Sequence, residues 1–186
     1  LNLAGGSESW SEWQWSKPST YRMIGYPLVI VGAKFLGGEN FGVLLQIFQS
    51  FSTLITIVFV YIALLEVVKN KEWATIGVLA YALSPVIYLQ NTILTDSLYS
   101  NLLTIAYCLS IISLYRDSGF YQRCLLIGLS LAVTFLIKDV TAIIIIIFIP
   151  IFLLPIWYSK LPQLKKLISA LLIFIPLCSA YLGYGL

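Results

Sequence analysis

Histidine is missing from this chain altogether, charged side chains make up only 10% of its 186 residues, and cysteine occurs three times. Each shortage excludes something. Without histidine, the usual zinc sites and the Ser-His and Cys-His nucleophile systems cannot be assembled. Cys108, Cys124 and Cys178 all sit inside apolar stretches with no CxxC spacing, and they read as small core residues. No basic run alternates with aromatics, and the lysines and arginines stand singly or in pairs under a net charge of +3. That pattern excludes a nucleic-acid partner. No n-region or cleavage site of a signal peptide is visible.

What the chain has is apolar surface. Hydrophobic residues are 60% of the total, and an ordinary soluble domain carries about 25% charged residues. A chain this size has too little interior to hide so much apolar area, so the excess must face something other than water. A bilayer is the natural solvent. The predicted fold class is all-α, a polytopic transmembrane helical bundle. The chain opens at Leu1 without a methionine and closes at Leu186 within an apolar stretch, which predicts a segment of a longer protein.

Two domains are expected. Residues 1–23 are polar, with Trp10, Trp13 and Trp15 alternating with Ser7, Glu8, Ser9, Ser11 and Glu12. Tryptophan favours the membrane–water boundary, so this stretch reads as an external interfacial loop. Residues 24–186 form the transmembrane helical domain. Gly25-Tyr26-Pro27 opens an apolar stretch to Leu36 that is short of the roughly 20 residues a span needs. It reads as a re-entrant or surface-lying helix closed by Gly37-Gly38. Six spans follow, at about 41–66, 73–90, 95–115, 120–137, 139–158 and 166–186. Lys69-Asn70-Lys71-Glu72, Arg116-Asp117-Ser118-Gly119 and the stretch from Ser159 to Lys166 separate them. Ser84-Pro85 predicts a kink in the second span, because proline removes a backbone donor. No internal repeat is apparent.

Orientation follows from the cations. Lys69, Lys71, Arg116, Arg123, Lys160, Lys165 and Lys166, seven of the 11, fall in alternate loops. Lys17, Arg22, Lys34 and Lys138 fall on the other side. The positive-inside rule puts the first set in the cytoplasm. The tryptophan-rich loop, Asp96 and Lys138-Asp139 then share the outer or lumenal face.

Three charged positions on that face are candidates for chemistry. Asp96 stands at the outer start of a span. It can serve as a helix cap, or in binding or proton transfer. Lys138-Asp139 interrupts an apolar run with no glycine or proline to mark an ordinary loop. Its lysine suits a lipid-linked phosphate, unless the two charges simply satisfy each other or the lysine snorkels. Arg22 precedes Gly25-Tyr26-Pro27 at the boundary of loop and helix. It is either an interface anchor or a phosphate ligand. Gln46, Gln49, Gln90 and Asn91 read as polar contacts between helices.

Taken in order, Arg22-Met23-Ile24-Gly25-Tyr26-Pro27-Leu28, Leu45-Gln46, Ala82-Leu83-Ser84-Pro85, Leu94-Thr95-Asp96-Ser97-Leu98 and Leu136-Ile137-Lys138 resemble the membrane-embedded GT-C glycosyltransferases. These enzymes use polyprenyl-phosphate sugars, and they include the protein O-mannosyltransferases and the lipid A aminoarabinose transferases. The resemblance covers nearly all of the chain. Each motif is short, and their order carries the likeness. It implies a GT-C-like bundle that moves a sugar from a polyprenyl-phosphate carrier to an acceptor hydroxyl at the outer membrane face, with inversion.

The family's main catalytic aspartate, which activates the acceptor, is expected just before Leu1. Asp96 then matches a second acidic position. Lys138 matches a basic residue for the carrier phosphate, and Arg22 and Tyr26 complete the substrate-binding set. Two departures stand out: Ile24 replaces a usual proline, and Lys138-Asp139 replaces Arg-Pro or Lys-Gly. The resemblance implies a lipid, glycan or protein acceptor and a bacterial or archaeal plasma membrane. It specifies no cofactor beyond the lipid-linked donor and leaves a divalent metal open. Two other classes remain at this point, a transporter or flippase of lipid-linked sugars and a non-catalytic membrane subunit.

Overall fold

The computed structural model describes residues 25–84, 94–116, 118–137, 151–157 and 162–184. Among them every regular element is a helix: α1 (Gly25–Gly37), α2 (Phe41–Val68), α3 (Lys71–Ala82), α4 (Leu94–Tyr115), α5 (Phe120–Ile137), α6 (151–157) and α7 (Gln163–Tyr184). Residues 1–23, expected as an interfacial loop, lie outside the described residues.

Three runs are long and apolar enough to cross a membrane, Leu28–Val68, Ser97–Tyr115 and Phe120–Ile137, and they mark the chain as an integral membrane protein. The first is 41 residues long. As one straight helix it would reach about 60 Å, twice the roughly 30 Å of bilayer hydrocarbon. It is not straight. Gly38 takes a left-handed φ of +53° and starts a single 3-10 turn, Gly38–Asn40, that breaks the run where Gly37-Gly38 predicts a stop. α1 is left with 13 residues, and α2 has 28, enough to cross alone. α1 packs on both α2 and α5.

Of the other expected spans, the last falls on α7, whose described apolar part, Ile168–Ala180, is shorter than a membrane crossing needs, and the helix starts earlier than expected, at Gln163. Pro162 sets that start, its carbonyl accepting from the Lys166 N–H at 3.1 Å. Lys165 and Lys166 therefore belong to the first turn of a helix and not to a loop. The expected spans 73–90 and 139–158 lie partly outside the described residues. In the former, α3 ends at Ala82, and Pro85, where a kink was expected, lies outside the described residues. A proline pushes the residue before it out of helical conformation, which favours a stop.

Side-chain contacts give the helix directions. Asn101 of α4 meets Ser52 and Thr53 of α2, and Arg116 just past α4 meets Glu66, so α2 and α4 run parallel. α3 returns antiparallel to α2, with Gly77 against Leu64. α4 and α5 form an antiparallel hairpin. Cys124 lies beside Ser169, and Gly128 beside Leu172 and Ile173, so α5 and α7 are also parallel.

The core lies among α4 to α7, where Ala106, Leu109, Phe120, Ile127, Leu131, Phe135, Phe152 and Ile173 are buried together. Phe152 packs on Tyr107 with ring centroids 5.0 Å apart. The tightest contact is between α5 and α7. A Cβ added at Gly128 would stand 2.5 Å from the Leu172 carbonyl oxygen and 2.7 Å from that of Ile173. Pro176, four residues beyond Leu172, has no N–H to give that carbonyl. The freed oxygen faces the bare Cα of Gly128, where a weak C–H···O contact is possible. Glycine at 128 and proline at 176 thus act together to bring two backbones into contact. Cys108 and Cys124 are buried as expected of small core residues, whereas Cys178 is exposed on α7. That is a correction: an apolar neighbourhood in sequence did not imply packing, because a lipid-facing helix surface is equally apolar.

Candidate functional site

The helix directions sort the chain into two ends. The C-terminal ends of α2, α4 and α6 and the N-terminal ends of α3, α5 and α7 share one. The N-terminal ends of α2 and α4 and the C-terminal ends of α5 and α7 share the other.

The first end is cationic and tightly bonded. Glu66, in the last turn of α2, is buried, with 8% of its side chain exposed. One carboxylate oxygen accepts from the Lys69 ammonium at 2.7 Å, and the other pairs with the Arg116 guanidinium. Lys69 caps α2 in left-handed conformation, φ +57°, uncommon for a non-glycine residue; its N–H donates to the Leu65 carbonyl. Its ammonium stands 5.2 Å from the centroid of the Tyr115 ring. Asn70 then caps α3, its side-chain oxygen accepting from the Glu72 and Trp73 N–H groups at 2.9 and 3.4 Å. At the α4–α5 turn, where Gly119 has φ +70°, Arg123 donates to the Ser113 hydroxyl at 2.9 Å and to the Arg116 and Ser118 carbonyls. Lys166 donates to the Trp157 carbonyl at 3.0 Å.

Exposed aromatics ring the same end: Trp73, Trp157, Tyr115 and Tyr121. Lysine and arginine over a belt of tryptophan and tyrosine is the pattern of a membrane–water boundary. The six described cations of the set assigned above to the cytoplasm all stand here.

A polar seam runs between α2 and α4 towards the other end. Gln49, Thr53 and Thr56 on α2 and Ser97 and Asn101 on α4 are buried. The Asn101 amide nitrogen donates to Ser52 at 3.4 Å and Thr53 at 3.1 Å, and Thr53 donates to the Gln49 carbonyl at 3.0 Å. The Asn101 carbonyl oxygen and the Ser97 hydroxyl find no hydrogen-bond partner among the described residues. Of the residues expected as polar contacts between helices, Gln49 is buried. Gln46 is exposed on the outer side of α2, and Gln90 and Asn91 lie outside the described residues.

Arg22 and Lys138 also lie outside the described residues, as do the side chains of Tyr26 and Asp96. The backbone places Asp96 in the first turn of α4, one residue before buried Ser97, and it ends α5 at Ile137, one residue before Lys138. These two helix ends lie on the same side of the bundle, away from the cationic end. Glu66, Arg116 and Asn101 were not singled out in the sequence. A carboxylate in the last turn of a long apolar run was the available sign for Glu66. Among the described residues no group of three or more His, Cys, Asp or Glu is placed to hold a metal ion.

Against family models, curated proteins and solved structures, the chain finds no match.

Proposed function

We propose that the chain is part of a GT-C-like membrane glycosyltransferase, a bundle of six spans and a short interfacial helix. It would transfer a sugar from a polyprenyl-phosphate carrier to an acceptor hydroxyl on a lipid, glycan or protein at the outer face of a bacterial or archaeal plasma membrane. The motif order from Arg22 to Lys138 supports this reading. The observation that carries it is the antiparallel α4–α5 hairpin, whose start at Leu94 and finish at Ile137 stand at the end opposite the cationic rim.

In this reading Lys138 and Arg22 meet the carrier phosphate and ease its departure as a leaving group in a water-poor site, with Tyr26 beside them. A carboxylate that takes the acceptor proton is worth about 10²–10⁴-fold. Asp96 is the second acidic group in this reading. The lipid tail stays between helices while the acceptor arrives from the aqueous side. In the full-length protein, Lys138→Ala is expected to abolish transfer from a polyprenyl-phosphate sugar while helix content and detergent stability persist. Undiminished turnover would remove Lys138 from the mechanism.

One observation favours a second reading, a transporter or flippase of lipid-linked sugars. The buried Ser97–Asn101 seam sets polar atoms that find no partner among the described residues within the apolar helices, where transporters place their substrate contacts. Movement of the labelled lipid across a vesicle membrane without covalent transfer would select it.

A further inference from the structure

We infer that Lys69 and Arg116 form a binding site for the headgroup phosphate of an anionic phospholipid, at the bundle end opposite the start of α4. Both cations lean on the single carboxylate of Glu66, which is turned inward and saturated by them. One negative charge cannot balance two positive ones, and Arg123, bonded to the Arg116 carbonyl next door, adds a third. The ammonium of Lys69 and the guanidinium of Arg116 have donors beyond those spent on Glu66. Lys69 is 61% exposed and Arg116 51%. An anion approaching from outside therefore meets two outward-facing cations, and the carboxylate lies behind them.

A free phosphate would need only the charges. What surrounds them fits a lipid. Val67, Val68 and Leu114, the residues just before the two cations in sequence, are exposed and apolar, on helices long enough to cross a membrane. Trp73 and Tyr115 add exposed aromatic surface at the charged level. Phosphate at the rim with acyl chains running down α2 and α4 satisfies both halves of the surface at once. Attraction of anionic lipid to cations at the membrane surface amounts to about fivefold in affinity per lysine or arginine.

The test uses the full chain in detergent micelles, titrated with phosphatidylglycerol or phosphatidylcholine, with retained lipid counted by native mass spectrometry. Phosphatidylglycerol is expected to be retained over phosphatidylcholine. Lys69→Asn should lower that preference about fivefold, and asparagine tolerates the left-handed backbone at 69. Arg116→Gln alone would strand Glu66, so the paired variant Glu66→Gln/Arg116→Gln tests the second cation. It leaves the local net charge at +1, as before, so a loss of preference with cooperative unfolding intact would read the guanidinium as a phosphate donor, and an unchanged preference would remove Arg116 from the site. Lys165→Gln, at the same end but outside the pair, should change little.

Equal retention of the two lipids would overturn the assignment. So would a Lys165→Gln loss as large as that of Lys69→Asn, which would mean diffuse surface charge. Displacement of the lipid by millimolar inorganic phosphate would show a site for soluble anions instead.

Discussion

Between α5 and α7 two backbones touch. Along α2, in contrast, Val43, Ile47, Phe51, Leu54 and Val58 form an apolar face exposed among the described residues. Half of the apolar window is buried in both Ser97–Tyr115 and Phe120–Ile137, against 22% in Leu28–Val68. All three helices are greasy, so greasiness does not decide which of them pack. Lipid chains are as apolar as leucine, and burying one against another gains little. Close fit and hydrogen bonds decide. α5 has Gly128 where α7 comes near, and α4 has Asn101 where α2 comes near. The outer face of α2 carries bulky residues with Gln46 and Ser50 among them, and it stays exposed among the described residues.

The comparison can be broken most sharply at Gly128. Gly128→Ala sets a methyl group within contact of two carbonyl oxygens that cannot move aside, and should cost about 1–3 kcal/mol. Thermal unfolding in detergent would show it as a lower midpoint and loss of cooperativity. The matched control is Gly77→Ala, where the crowding atom is the Leu64 side-chain tip, 2.9 Å away and free to turn. That change should stay within about 0.5 kcal/mol. An equal effect at both positions would mean that backbone contact is not what distinguishes α5–α7.

Glu66→Gln comes next. It leaves Arg116 and Lys69 facing each other without a counter-charge, so the unfolding midpoint should fall by less than with Gly128→Ala. Adding Arg116→Gln should recover part of the loss, a coupling that a double-mutant cycle reads directly. Independent, additive losses would show that the two charges do not act as a pair. The smallest effect belongs to Phe51→Ala on the bare face of α2, within about 0.5 kcal/mol in the same assay. A larger loss would reveal that something packs there.

Much of this architecture could be read from residue order, for identifiable reasons. Gly37-Gly38, Lys69-Asn70-Lys71-Glu72 and Ser118-Gly119 interrupt apolar runs with residues that cap helices or accept left-handed backbone, and helices break at each of them. These are local signals. The pairing of Glu66 with Arg116 and of Asn101 with Thr53 depends on α2 and α4 lying side by side and parallel. No local pattern encodes that, so neither polar contact could be read from residue order. Cys178 failed in the opposite direction, since an apolar surrounding in sequence cannot tell a core from a lipid-facing side. Of the candidate site, the placement of position 96 in a first helical turn follows from Thr95-Asp96-Ser97, residues that favour helix starts. Its position at the same end as the finish of α5 needed the hairpin.

The two polar ties between α2 and α4 have a mechanical consequence. Asn101 fastens the pair midway along α2, and Arg116 fastens it again at the last turn. One fastening would act as a pivot, allowing the helices to swing like scissors; two make a single stiff strut, unable to slide or roll without breaking both. Any displacement that carried position 96 outward would have to haul the Gly38 bend with it.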